Sequence, residues 1–255
     1  MIRGVLLDLD GTVYYGKNEV PGAAAFIGRL DELGIDYLFV TNRSNRTPEV
    51  ICEHLAGYGI PCSRERVLTS AQATAEYLGS GSVYYIGEDG LRIALEEEGL
   101  VIADENPDYV VVSFDREFNY DKLKKACRLI DKGSKFIATN PDSGLKTEDG
   151  ILPGTGSIVA AVEAGCRRKP LMIGKPEKLI FEMALRRMNL PAAEVIAVGD
   201  NLETDIPAGA AAGIRTVLLL QGISTREDIA GAAADPTWVA DTYDELARII
   251  EAENG

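Results

Sequence analysis

Short apolar runs bounded by turn residues recur along the chain and read as buried strands, with helix-spaced apolar positions between them. In the first third, the strand "GVLLDL" precedes the helix "PGAAAFIGRLDEL", with a proline near its start and Gly34 just past its end. The strand "DYLFVT" and the helices "TPEVICEHLAGYG" and "SAQATAEYL" follow. The last third repeats the rhythm with helix "PEKLIFEMALRRM", strand "VIAVGD", helix "DIPAGAAAG", strand "TVLLL" and helix "TYDELARIIEAE". Strands alternating with helices predict βαβ units, and so an α/β fold with a doubly wound parallel sheet, a Rossmann-like core. In such sheets ligands bind outside the carboxyl ends of the strands.

Between these thirds, "GSGS" (Gly79 to Ser82) reads as a junction. The segment after it has its own strands, "VYYIG", "DYVVVSF" and "KFIATN", and its own helices, "DGLRIALEEEG", "NYDKLKKACRLIDKG" and "GSIVAAVEAG". This predicts a smaller α/β cap domain over residues 79–170, inserted into a core made of residues 1–78 and 171–255.

Composition narrows the function. A chain of 255 residues, 46% apolar and 26% charged, is that of an ordinary soluble globular protein. No apolar stretch approaches the roughly 18 residues of a membrane helix. The run in "MIRGVLLDLDG" is too short for a secretory signal, so a cytoplasmic location is expected. A net charge of −14 argues against nucleic acid and anionic membranes as partners. Cys52, Cys62, Cys127 and Cys166 are scattered without a C-x-x-C pair. They read as buried structural thiols rather than a zinc site or disulfide scaffold. The single histidine, His54, falls on a helix and reads as a partly exposed helix residue, which leaves a serine–histidine triad or a multi-histidine metal site without its ligands.

Acid–base chemistry must then fall to other groups, and these gather past the strand ends. The first strand delivers Asp8, Asp10, Gly11 and Thr12, and the second Thr41 and Asn42. "VIAVGDNLETD" delivers Asp200, Asn201, Thr204 and Asp205, and "IGKPEKLIF" places Lys175 at a helix start. Strand residues two apart share a face, so Asp8 and Asp10 are expected to point the same way. Like charges that close resist joint ionisation; a cation, a shared proton or a reacting phosphate would each offset the cost. Each feature alone has an ordinary explanation as a cap, turn or surface residue. Together they suit phosphoryl transfer, with Asp8 and Asp200 as oxygen ligands for Mg²⁺ and Lys175 and Thr41 on phosphate oxygens.

The motifs "DLDGTVYYG", "TNRSNRT", "GKP" and "GDNLETDI" resemble the four motifs of haloacid dehalogenase superfamily phosphatases. The segment "FIATNPDSGLKTEDGILPGTGSIVAAVEAG" is similar to the NagD-like, p-nitrophenyl phosphatase branch, whose cap lies between motifs two and three. The resemblance implies a Mg²⁺-dependent hydrolase of small phosphorylated metabolites acting through an aspartyl-phosphate. It implies Asp8 as nucleophile, Asp10 as general acid–base, and Thr41 and Lys175 as phosphate ligands. It further implies metal binding by Asp8, the Asp10 backbone carbonyl and Asp200, supported by Asp205, with Asn42 positioning phosphate or the Asp8 loop. Asp142 is implied as a substrate contact, with a turn-forming role in "NPDSG" equally open. Arg43 stands where relatives often carry asparagine and either adds positive potential near the pocket or faces solvent, the second reading being favoured; "PGTGS" reads as a helix start as readily as an anion site. A phospho-acceptor switch needs neither Asp10 nor an insertion of about 90 residues. A phosphotransferase or phosphomutase keeps both aspartates, and the cap's position and likeness favour hydrolysis over it. The substrate itself and the oligomeric state stay open, a homo-oligomer included.

Overall fold

The computed structural model describes residues 1–147 and 150–255. The chain separates into two compact units. One comprises residues 1–41, 48–68 and 175–255, the other residues 42–47 and 69–174. The division differs from the expected one in three places. Helix Ser70–Leu78, the six residues after Thr41 and residues 171–174 all belong to the second unit.

The first unit is built on a six-stranded sheet in the order Trp238–Ala240, Arg215–Leu219, Val195–Gly199, Gly4–Leu7, Asp36–Thr41, Val67–Thr69. The strands from Trp238–Ala240 through Asp36–Thr41 run parallel to their neighbours. Their apolar runs are buried along nearly their whole length, as expected of a parallel sheet covered on both faces. Helix Ala23–Leu33 buries Ala23, Phe26, Ile27 and Leu30 in the core and ends at Gly34, whose φ of 66° a left-handed cap requires.

The second unit holds a five-stranded parallel sheet in the order Leu171–Met172, Lys135–Ala138, Tyr109–Val112, Ser82–Ile86, Val101–Ile102. Gly144–Thr147 pairs with Gly150–Pro153 as an antiparallel hairpin. The α/β fold class is therefore as the sequence predicts. The additional strands, among them Val67–Thr69, Trp238–Ala240 and Val101–Ile102, are two to four residues long, too short for periodicity to reveal.

Two local expectations are corrected. Lys175 does not start a helix; it lies in a turn, its peptide to Pro176 is cis, and the helix runs Leu179–Met188. A residue before proline is biased away from helical backbone. Cys52 and Cys62 are not thiols but a disulfide, because the end of helix Pro48–Ala56 and the loop after it bring their Cα atoms to 5.1 Å. Cys127 and Cys166 are free and half-buried. No described helix is long and apolar enough to cross a membrane.

Helix Ser70–Leu78 starts on a capping box. The Thr69 hydroxyl accepts from the Gln72 N–H, and the Gln72 side chain accepts from the Thr69 N–H, each at 3.1 Å. Thr69→Ala should lower the urea-unfolding free energy by about 1 kcal/mol and Thr69→Ser should restore most of it. Equal midpoints for all three proteins would refute the capping role.

Candidate active site

Strand register sets the site's floor. Leu7 pairs with Phe39 on one side and Val198 on the other, so three neighbouring strands end almost level. At those ends lie Thr41, the last residue of its strand, and Asp8 and Asp200, each one residue past its strand, all buried. The Asp8 N–H donates to the Val198 carbonyl at 3.0 Å, which carries the ladder one residue past the strand. The strand order also reverses here, with Asp36–Thr41 on one side of Gly4–Leu7 and Val195–Gly199 on the other, where α/β sheets open a crevice.

Lys175 crosses this floor. Its ammonium donates to Asp8 Oδ1 at 2.5 Å, Asp205 Oδ1 at 2.6 Å and the Val40 carbonyl at 3.2 Å, with the residue only 2% exposed. Burial opposes its charge, yet Asp205 and Asp8 outweigh that and raise its pKa, so it stays cationic. Asp205 Oδ2 also accepts from the Asn201 N–H at 3.1 Å, so both oxygens of this carboxylate are engaged.

Asp200 lies in a cradle of backbone. The Ile223 N–H donates to Oδ2 at 2.7 Å and the Thr12 hydroxyl to Oδ1 at 3.3 Å. A Cβ at Gly11, where φ is 93°, would stand 2.3 Å from Asp200 Oδ2, and one at Gly222 would stand 2.1 Å from it. Any side chain at either position would drive the carboxylate out. Burial first, then Asp205, pushes the Asp200 pKa up to about 7. Asp8 is also raised, by burial and by Asp205 and Asp200, against the pull of Lys175.

Asp8, Asp200 and Asp205 each offer an oxygen within 4.8 Å of the others. Three carboxylates against one ammonium leave a buried surplus of negative charge, and hard oxygen donors in that number fit Mg²⁺. Asp205 is committed to Lys175 and Asn201, which leaves Asp8 and Asp200 as the ligands the donor set favours.

Asp10 is placed differently from the expectation. The strand stops at Leu7, and Leu9–Tyr14 turns back on itself, with the Leu9 carbonyl accepting from the N–H groups of Thr12, Val13 and Tyr14. Strand alternation therefore does not extend to the pair: Asp8 is buried and Asp10 exposed. The like charges that face Asp8 are Asp205 and Asp200.

In the second unit, the Asn42 amide donates to both oxygens of the half-buried Asp142, at 3.2 and 3.1 Å. The Asn42 carbonyl accepts from Ser70 Oγ at 2.6 Å and Asn140 Nδ2 at 2.9 Å. Arg43 is half-buried. His54 sits edge-on to Tyr14 and 3.2 Å from the Tyr58 hydroxyl, in an aromatic cluster. Sequence reasoning did not single out Gly222, Ile223 or Tyr243. The signal for the first two was "QGIS" directly after the strand "TVLLL", a polar, glycine-bearing turn at a strand's carboxyl end. Tyr243 opens an ordinary amphipathic helix and carried no signal.

Known proteins match this arrangement along nearly the whole chain. The pattern described as haloacid dehalogenase-like hydrolase matches residues 5–101, and a second, HAD-hydrolase-like, matches residues 172–246. The chain is 41% identical to the 5'-nucleotidase YutF of Bacillus subtilis over 247 residues, covering 95% of this chain and 96% of that protein. It is 43% identical to the acid sugar phosphatase of Staphylococcus aureus, covering 98% of each. The crystal structure of the 4-nitrophenylphosphatase of Thermotoga maritima superposes with a TM-score of 0.92 at 37% identity, covering 97% of both chains. With a two-part family match, relatives above 40% identity along nearly the whole chain and a buried aspartate–lysine floor at the sheet's rim, the chain belongs to the haloacid dehalogenase-like hydrolases and is a phosphoric monoester hydrolase.

Proposed function

We propose that this enzyme is a Mg²⁺-dependent phosphatase that hydrolyses small phosphomonoesters through an aspartyl-phosphate at Asp8. The observation that carries the reading is the buried grouping of Asp8, Asp200 and Asp205 around the single ammonium of Lys175. Asp8 and Asp200, with the Asp10 backbone carbonyl, would hold Mg²⁺, and Asp205 would support them. The ion, when bound, neutralises charge on phosphate and carboxylate oxygens.

Phosphoryl transfer depends mainly on positioning and electrostatic stabilisation. An Asp8 oxygen attacks phosphorus, the ester P–O bond breaks, and its electron pair leaves with the substrate oxygen, which takes a proton from Asp10. Water then attacks the phosphorus on Asp8 and gives a proton to Asp10; the acyl P–O bond breaks and Asp8 is regenerated with inorganic phosphate. Lys175 and Thr41 hold phosphate oxygens, and Asn42 places the phosphate or the Asp8 loop. A covalent carboxylate intermediate divides one difficult hydrolysis into two easier steps. The second unit serves as the cap, and Asp142 in it contacts the substrate's variable part. Relatives named for nucleotide, acid sugar and nitrophenyl substrates support small phosphorylated metabolites as the class.

Asp8→Asn should remove turnover of every substrate, a neutral amide being a poor nucleophile. Asp10→Asn should lower kcat/KM for alkyl phosphates by about 10²–10⁴ and far less for p-nitrophenyl phosphate, whose leaving group departs without a proton. A burst of nitrophenol near one equivalent, with a phosphoryl mass gain on the peptide containing Asp8, should accompany it. An equal loss on both esters without a burst would contradict these roles.

The carboxylate surplus makes a stability prediction for EDTA-treated protein. Between pH about 4 and about 7 the folded protein keeps a proton at Asp200 that the unfolded chain has released, so stability falls as pH rises through that window. Asp200→Asn should flatten this decline and melt above the parent at pH 8 in EDTA. Mg²⁺ should raise the parent's melting temperature and leave Asp200→Asn unmoved; equal Mg²⁺ shifts in both would refute the site.

Asp142→Ala should reorder activity across a phosphomonoester panel more than it changes the rate with p-nitrophenyl phosphate. An unchanged order would return Asp142 to turn formation.

A further inference from the structure

The Leu9–Tyr14 turn that carries Asp10 is tied to the far end of the sequence. Its internal hydrogen bonds converge on the Leu9 carbonyl, and the Gly11 N–H closes it by donating to the Tyr14 carbonyl at 2.9 Å. The Thr12 carbonyl takes no part in that closure. It accepts instead from the hydroxyl of Tyr243, at 2.7 Å and 231 residues away. Tyr243 is buried at the first position of helix Tyr243–Asn254, its ring 5.1 Å from that of Phe26. Gly22 lies against it, where a Cβ would meet the Tyr243 Cβ at 3.3 Å. Ring and hydroxyl are thus held from two sides. Thr12 is wholly buried, and its own hydroxyl donates to Asp200 at 3.3 Å.

A buried carbonyl that loses its donor seeks another or moves toward water. Without the Tyr243 hydroxyl, the turn has no donor on Thr12 and relaxes at the residues that flank it. Asp10 lies two positions from Thr12 on the same turn and is exposed, so a shift of the turn's backbone carries its carboxyl with it.

We infer that Tyr243 is a positioning residue whose hydroxyl fixes the Leu9–Tyr14 turn and thereby sets the Asp10 carboxyl for proton transfer to the leaving oxygen. The inference rests on the proposed role of Asp10 as general acid–base. Tyr243 touches no reacting atom. Its influence falls on one step, and selectively on substrates whose leaving group needs a proton.

Tyr243→Phe keeps the ring and deletes the hydroxyl. Its kcat/KM should fall about 10-fold with an alkyl phosphate and less than about 3-fold with p-nitrophenyl phosphate, a part of the 10²–10⁴ that general acid catalysis supplies. Tyr243→Met, which also lacks the hydroxyl, should show the same discrimination and is measured alongside. Phe26→Leu disturbs the same packing without touching the hydroxyl; it should lower the melting temperature and change both substrates alike. Asp10→Asn is run in parallel. If Asp10→Asn discriminates between the esters while both Tyr243 variants slow them equally or not at all, the inference is overturned and the role of Asp10 survives. If Asp10→Asn itself fails to discriminate, the acid–base reading falls and this inference with it.

Discussion

The ammonium of Lys175, buried between Asp8 and Asp205, is the interaction on which this enzyme is organised. Taking charges out of water costs several kcal/mol per ion, and only close, well-satisfied partners repay it. Each of the three is fixed by something else in the fold. Asp8 follows the central strand, Asp205 opens a helix and receives the Asn201 N–H, and Lys175 is also held by the Val40 carbonyl. Removing any one would strand the remaining charges in the core, so the cluster and the strand ends around it stand or fall together.

The third carboxylate, Asp200, is held by the Ile223 N–H, the Thr12 hydroxyl and glycine backbone. The result is a pocket of negative charge that the protein alone does not neutralise. Such an imbalance lowers the stability of the fold, and the divalent ion proposed above would relieve it. The same cradle explains why Gly11 and Gly222 matter although neither carries a functional group. Each makes room for the carboxylate by having no side chain.

Much of this was legible in the sequence. The apolar runs ending in "DLDG", "VTN" and "VGDN" located the rim, because a parallel strand buried on both faces must change character abruptly where it meets solvent. The sequence brought Asp8, Asp200 and Asp205 to the rim by placing them past strand ends and Lys175 by a helix start, and the structure groups the four with Lys175 in a turn instead. What periodicity could not supply was the path of the chain between elements. The orientation of Asp10 depends on a turn whose hydrogen bonds are local but not periodic, and the backing of that turn by Tyr243 is a contact across nearly the whole chain. The two cysteines that pair were equally invisible, since the geometry that joins Cys52 to Cys62 comes from a helix end and not from their spacing. The shortest edge strands owe their form to a neighbour's backbone rather than to their own sequence.

The span between Thr12 and Tyr243 has a consequence for how the enzyme comes into being. On the ribosome, Asp8 and Asp10 emerge first, Lys175 and Asp200 long afterwards, and Tyr243 later still. Strands adjacent in the sheet, Gly4–Leu7 and Val195–Gly199, cannot pair until nearly two hundred residues have been made. Asp8 therefore waits in an unfinished sheet while the second unit, residues 42–47 and 69–174, already has its full sequence available. Non-local pairing of this kind delays folding more than local contacts do. A nascent chain thus carries Asp8 without the lysine that orders it, and the charge cluster is completed late in synthesis.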